Sequence, residues 1–486
     1  MNKRIVAGGV LVAAVAAIWT GTAWYTGKQI EARLAQDVQA AGDRVQRLGA
    51  KLGIPVTLEL LSFERGVFSS DARFGLKVTV QSDGKPTEKA FAFTGKVEHG
   101  PFPASRLANG DIAPVMAAGR VQMAQSPDAA AWFAAAGGSA PVSANFLFAY
   151  DRDSSGGLAL APVSYADGPV SLEFSGLQAQ GEFAGDGTRN LASLAVDRMV
   201  LSEAVKGGAD AGRHTLTLDG LAVSHQSSGA AGASTSSTTL TAKDWASDLD
   251  KLPLGLKDVA LTLDSEMAGE RMTGKLTMDV GGVNVRGQHV AKLRMVAGGM
   301  DMDVEALKAF QDFSDGEPPR VDNGEPILGD KMLAASHLLK FLLARPSFTL
   351  SPLQVETARG TSSLSLDIGL DSPSFWKRDP VGIVKEVVRH LSLQLKLSTD
   401  GMADLIAARL ELKGATPEAA RDQAGREAAA LRGLVAEMQW GRVDNNVIQI
   451  EADYRDGQLD FNGERMPVEA FVGRILTPKT PGATAP

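Results

Sequence analysis

Six histidines are the first residues to test for chemistry: His99, His214, His225, His289, His337 and His390. No two stand at the i, i+4 spacing that sets zinc ligands on one helix face, so a metal site would have to be assembled from distant residues. His99 differs from the rest because it opens the constrained run His99-Gly100-Pro101-Phe102-Pro103. Gly269, Gly274 and Lys275 match the start of a phosphate-binding loop, but Leu276 stands where a hydroxyl should meet magnesium. The run also joins two alternating segments instead of opening a helix, so a hairpin turn is expected. Asp151, Asp153 and Gly156 resemble the opening of a calcium loop, yet Pro162 occupies the place of the closing bidentate glutamate, and a solvated turn is expected. There is no G-x-S-x-G elbow, and spacing alone assembles no Ser, His, Asp set. The sequence therefore predicts no catalytic residue, no cofactor-binding residue, no metal ligand and no cofactor, and it disfavours an enzyme.

Composition bounds the class. The 486 residues are 44% hydrophobic and 22% charged, a globular balance that allows two or three packed units. With 52 glycines against 18 Phe, 6 Trp and 4 Tyr, many turns and a core of Leu, Val and Ala are expected, which favours repeated strands. A net charge of −8 disfavours nucleic acid or an anionic lipid surface as a partner, because phosphate binding needs concentrated Lys and Arg. Cysteine is absent, which excludes disulfides, thiolate metal sites and a Cys nucleophile.

The elements that would carry any site begin with Ile5 to Gly27, an uncharged run preceded by Lys3 and Arg4 and closed by Trp19, Trp24 and Tyr25. At about 1.5 Å per residue it is long enough to cross a hydrocarbon core of roughly 30 Å, and the aromatics suit the far interface. Residues 1–27 are thus expected to be a cytoplasmic tip and a retained transmembrane anchor. A cleaved signal peptide with small residues Gly21 and Ala23 at its end is the rival reading, although the run is longer than a usual signal core. Gly9, Ala13, Ala17 and Gly21 fall four apart, a stripe of small side chains through which two such helices could pair as a homodimer. Residues 28–53 read as an amphipathic juxtamembrane helix with Ile30, Leu34, Val38, Ala41, Val45, Leu48 and Leu52 on one seam, ended by Gly53 and Pro55.

Residues 54–475 read as mainly β with helices, an α+β arrangement built on a large antiparallel sheet. Val56–Phe63, Arg73–Gln81 and Ala90–Glu98 alternate as strands, and short helices are expected within Ser105–Ala136, one capped by Ser126 with Pro127 at its first position. Val142–Leu370 is dominated by alternating segments closed by Gly, Asp or Ser. Within it, the low-complexity stretch Ser227–Thr241 is expected as a flexible hairpin loop or strand edge. Helices are expected at Lys331–Ala344, with Met332, Leu333, Leu338, Leu339, Leu342 and Leu343 on one face, and at Thr416–Met438, where Thr416 caps, Pro417 opens and Glu418 meets the dipole. The segments starting at Lys292 and Ser392 both read as strand, glycine-bearing turn and helix. Two subunits with a boundary near 315–345, a short helix at Pro467–Ile475 and a disordered tail at 476–486 complete the division.

Several separated motifs carry a resemblance. Trp19-Thr20-Gly21 with Ala23-Trp24-Tyr25-Thr26-Gly27, Arg65-Gly66-Val67-Phe68-Ser69-Ser70 and His99-Gly100-Pro101-Phe102-Pro103 are similar to the amino-terminal half of the YdgA-like family of bacterial envelope proteins. Tyr454, Gly457, Asn462-Gly463, Met466 and Phe471-Val472-Gly473 resemble that family's closing strand, turn and helix. The resemblance implies a Gram-negative inner-membrane protein with one amino-terminal span and a large periplasmic domain, and it supplies no catalytic residues. The function expected is that of a membrane-anchored scaffold or binding module, for lipid or another apolar envelope ligand. A purely structural or interaction protein and a hydrolase with an unrecognised site are the alternatives.

Overall fold

The structure is a computed structural model that describes residues 3–51, 53–82, 85–167, 170–204, 213–230, 232–248, 253–307, 341–372 and 380–476. Strands make up 58% of it, and every strand pairing given below is antiparallel. The chain packs as two compact units, Met1–Arg213 with Asp219–Gln226 and His214–Leu218 with Ser227–Pro486. Of the subunit boundary expected near 315–345, residues 315–340 lie outside the described residues.

The first unit opens with α1, Lys3–Lys51, one unbroken helix of 49 residues. It joins the uncharged run to the amphipathic seam because Ala, Leu, Gln, Glu and Arg are good helix formers and no proline intervenes. Gly53, at φ +70, ends it by taking the left-handed conformation that a helix stop favours, and the Ile54 amide closes onto the Gly49 carbonyl at 2.8 Å. Among the described residues, no helix is long and apolar enough to cross a membrane. The expected anchor falls largely outside that description: the side chains of residues 3–19 and of Gly21, and so the stripe Gly9, Ala13, Ala17 and Gly21, lie outside the described residues.

A meander follows: β1 Val56–Arg65, β2 Ser69–Ser82 and β3 Lys85–His99, then helix α2 Ala104–Ala108 and β4 Ala117–Met123. Next come α3 Ala130–Ala135, β5 Val142–Phe148, β6 Ser154–Leu160 and β7 Val163–Asp167. The meander closes with β8 Val170–Phe174, β9 Leu177–Phe183 and β10 Arg189–Ala204, with β8 and β9 both pairing along β10. Met123, Ala129 and Phe133 form a local core, with Trp132 set edge-on to Phe91 at 6.2 Å. The helix expected from Ser126 and Pro127 begins only at Ala130, because Ser126 Oγ accepts from the Ala129 amide and caps a preceding turn. Strand β4 lies inside the stretch expected to be helical.

Strand β11, Arg213–Ala230, is divided between the two units. The second unit continues with β12 Ala233–Ser247, β13 Leu254–Ala268, β14 Arg271–Val285, β15 Gln288–Asp303, β16 Ser347–Thr357 and β17 Gly360–Leu370. Helix α4 Pro380–Val387 leads into β18 Val388–Ser398, and helices α5 Thr399–Leu412 and α6 Pro417–Glu437 follow. The chain ends with β19 Arg442–Asp444, β20 Val447–Arg455, β21 Gln458–Phe461, β22 Glu464–Pro467 and α7 Val468–Leu476. The pair α5 and α6 packs through Ala403, Ala407, Ala420, Ala424 and Ala428, small side chains that let two helices approach closely, and Thr416 caps α6 as expected.

Two expectations in this unit need correcting. Ser227–Thr241, expected as a flexible hairpin loop or strand edge, is mostly ladder: its described residues end β11 and begin β12, whose hydroxyls pair across strands, Ser236 with Ser265 at 2.8 Å and Ser237 with Asp264 at 2.7 Å. Small hydroxylated residues read as low complexity, yet they satisfy one another on a sheet face. Gly298 and Gly299 are not a turn but lie inside β15, opposite Lys275 and Gly274. Of the helix expected at Lys331–Ala344, residues 331–340 lie outside the described residues, and helical structure covers 341–343.

Candidate functional site

The two motif-like runs are turns. Gly269 takes φ +64 in the two-residue turn joining β13 to β14, where an Ala268–Arg271 pair leaves no helix start to hold phosphate. Asp151 sits in the β5–β6 turn, its carboxylate accepting from the Asp153 amide, and Gly156 belongs to β6. No group of three or more His, Asp and Glu fit for a metal occurs among the described residues. His214 Nδ1 meets the Asp248 carbonyl at 2.9 Å and His390 Nε2 meets Asp367 Oδ1 at 3.2 Å, each a local tie, while His337 lies outside the described residues.

His99 is different. Its ring is 1% exposed and Ser70 0%, with Ser70 Oγ 2.8 Å from Nε2 and the Val67 carbonyl 3.0 Å from Nδ1. A carbonyl only accepts, so Nδ1 carries the proton and Nε2 accepts from the serine hydroxyl. Burial pushes this imidazole below its ordinary value; the Val67 carbonyl opposes that, the Arg65 guanidinium adds to it and the Ala23 backbone opposes it. The neutral Ser–His pair has the form of an activated nucleophile, but Ser70 has no surface open to a substrate. What covers it is α1. Gly27 lies so close that a Cβ there would stand 2.4 Å from His99 Cε1, so only glycine fits.

Around this contact the separated motifs converge. Arg65 stacks 5.5 Å over the Trp24 ring and binds Glu31 at 2.8 Å, while the Tyr150 hydroxyl hydrogen-bonds Thr26, itself buried. The His99 amide donates to the Phe68 carbonyl and the Gly100 amide to Met116. Residues 24–27, 65–70 and 99–100 thus form one lock that clamps α1 to the sheet. Spacing arguments missed Ser70 and Tyr150 because they act from distant elements, Ser70 from β2 and Tyr150 from the β5–β6 turn; the signal available was the motif membership of Ser70. The carboxyl-terminal motif closes in the same manner, with Tyr454, Leu459, Phe461 and Val468 in one core against Met466, Phe471 and Val472.

All of these motifs except Phe471-Val472-Gly473 lie within a match to the family model described as Bacterial protein of unknown function (DUF945), which covers residues 1–469. The chain belongs to this family. It is 25% identical to Protein YdgA of Escherichia coli (strain K12) over 98% of this chain and 97% of that one. It is also 26% identical to the uncharacterized protein YihF of the same strain, over 96% and 98%. An uncharacterized protein of Haemophilus influenzae is 24% identical over 36% of this chain and 46% of its own. The expected resemblance is therefore borne out, and the family brings no assigned activity.

Two surfaces remain for this DUF945 member. In the first unit a polar cleft of about 680 Å³ is floored by β3, β4, β5, β6 and β9, with Lys96 opposite Arg120 and with Glu98 and Glu182 at its sides. In the second unit the strand register lines up an apolar row: Leu240 on Leu261, Met278, Met295, Leu353, Leu364, Leu395 and Ile450. A parallel row runs Leu263, Leu276, Ala297, Leu350, Leu366, Leu393. At about 4.8 Å per strand each row extends roughly 25–35 Å. The side chains of the first row are only half-buried, and Leu263 is 48% exposed. On the other face sit ion pairs such as Asp279 with Arg294, as period-two alternation requires.

Proposed function

We propose that this protein is a scaffold of the bacterial envelope, tethered to the inner membrane by the Ile5–Thr22 part of its uncharged run with its bulk in the periplasm, and that the apolar sheet face of its second unit holds lipid acyl chains. The observation that carries the reading is that face: a soluble sheet with one polar side normally buries its apolar side under helices, whereas here the row stays partly exposed along eight strands. Met278 and Met295 at its centre suit it to a ligand without fixed shape, because methionine adapts its packing. A row of this length exceeds one leaflet of acyl chain, half of a roughly 30 Å core. The tether reading is supported by the uncharged run, its flanking Lys3 and Arg4, and the continuity of α1 from that run into the docked segment.

The test is photocross-linking in intact bacteria with a benzophenone amino acid at single positions of the full chain. At Met295 a phospholipid adduct is expected by mass spectrometry; at Arg294, which points to the opposite face, none is expected. A cross-link from Met295 only to the chain itself, or equal lipid capture from both positions, would overturn the proposal.

A further inference from the structure

The lock also sets which end of the first unit faces the uncharged run. Helix α1 runs antiparallel to β1: Gly49 lies beside Ile54 and Val56, Gly42 beside Leu58, Glu31 on Arg65 and Gly27 on His99. The run Ile5–Thr22 therefore leaves the unit at the sheet end where β1 turns into β2. At that same end the His99–Gly100–Pro101 segment is bracketed by hydrogen bonds, to Phe68 on one side and to Val115 and Met116 on the other. The β1–β2 turn and the α2–β4 loop are thereby held beside residues 23–27 of α1.

Both tips are apolar and open. Phe68 is 48% and Ile112 75% exposed, with Val67 exposed too, and Trp24 and Tyr25 present their rings at the same level of α1. Of the charges nearby, Arg65 is paired with Glu31, Asp111 with Arg106, and Lys28 lies over the Trp24 ring at 5.6 Å, while Glu64 and Asp71 are exposed and face each other one step further from the turn. Apolar tips ringed by aromatic rings and snorkelling cations are what a bilayer interface accepts.

We infer that this end of the first unit is a membrane-docking surface, with Val67, Phe68 and Ile112 seated in the phospholipid interface beside Trp24 and Tyr25. The unit then rests on the bilayer in one orientation instead of swinging on its helix. The inference depends on the tether proposed above, and its test separates the two.

The chain has no cysteine, so single cysteines can be introduced into the full-length protein and labelled with an environment-sensitive fluorophore. The labelled proteins are reconstituted in phosphatidylethanolamine and phosphatidylglycerol vesicles with and without brominated acyl chains. Positions Ala13→Cys for the tether, Phe68→Cys and Ile112→Cys for the tips, and Ser139→Cys for the opposite sheet end serve as reporters. The expected result is at least twofold quenching at 13, 68 and 112, and none at 139. Quenching at 13 alone overturns the docking and leaves the tether standing, whereas no quenching at 13 overturns both. Ile112 is so open that its replacement leaves packing intact; a quenched 112 with an unquenched 68 and a native circular dichroism spectrum would remove the β1–β2 turn from the surface and overturn the inference as stated.

Discussion

His99 and Gly27 show how a single contact can hold a helix to a sheet. The imidazole stays neutral because burial outweighs the carbonyls that favour its proton. A histidine with a depressed folded value contributes stability that is fully present above its unfolded value near 6.5 and is lost as pH falls through the folded value. Denaturant midpoints of the first unit are therefore expected to drop as pH is lowered from 7 to 5, and His99→Gln is expected to flatten that slope. An unchanged slope in the variant would show that the ring is not the titrating group. Gly27→Val adds atoms where a Cβ already meets the ring at 2.4 Å, and a loss of about 2 kcal/mol fits the usual cost of overpacking. Raised hydrogen exchange along α1 would accompany it.

Among the elements, α1 is one continuous helix with two jobs, one read from contacts and one proposed. Its carboxyl-terminal part is read by the sheet through Gly27, Glu31, Gly42 and Gly49. For its amino-terminal part we propose pairing of two copies through Gly9, Ala13, Ala17 and Gly21, because small side chains allow close packing in lipid, where helix association has little hydrophobic gain. Replacing these four by Ile is expected to abolish association in a membrane two-hybrid assay. The same change at Val10, Ala14, Ile18 and Thr22 is expected to leave it intact, and equal signals from both sets would remove the stripe from the account.

As proposed, a membrane tether carries the unit clamped to α1, and the apolar sheet face belongs to the second unit. If the tether orients as its flanking Lys3 and Arg4 predict, alkaline phosphatase fused after residue 475 is active in a Gram-negative host. Activity only from a cytoplasmic reporter at that site would reverse the topology, and with it the envelope location.

Much of this was legible in the residues alone. Alternation of apolar and polar positions predicts strands wherever one face is buried, so β1, β2, β13, β14 and β20 follow from period two. Thr416 and Pro417 likewise mark the start of α6, and the separated motifs declare the family. The strands in Ser227–Thr241 were not legible, since serine and threonine there carry no hydrophobic alternation and gain their order from partners on β13. Nor was the lock: Gly27, Ser70 and His99 are distant in sequence, and only the packing of α1 across β1, β2 and β3 makes the ring need both a serine and the absence of a side chain. The apolar rows show the same division, because each strand announces its own Leu or Met, but only register decides that those residues stand in line on one face.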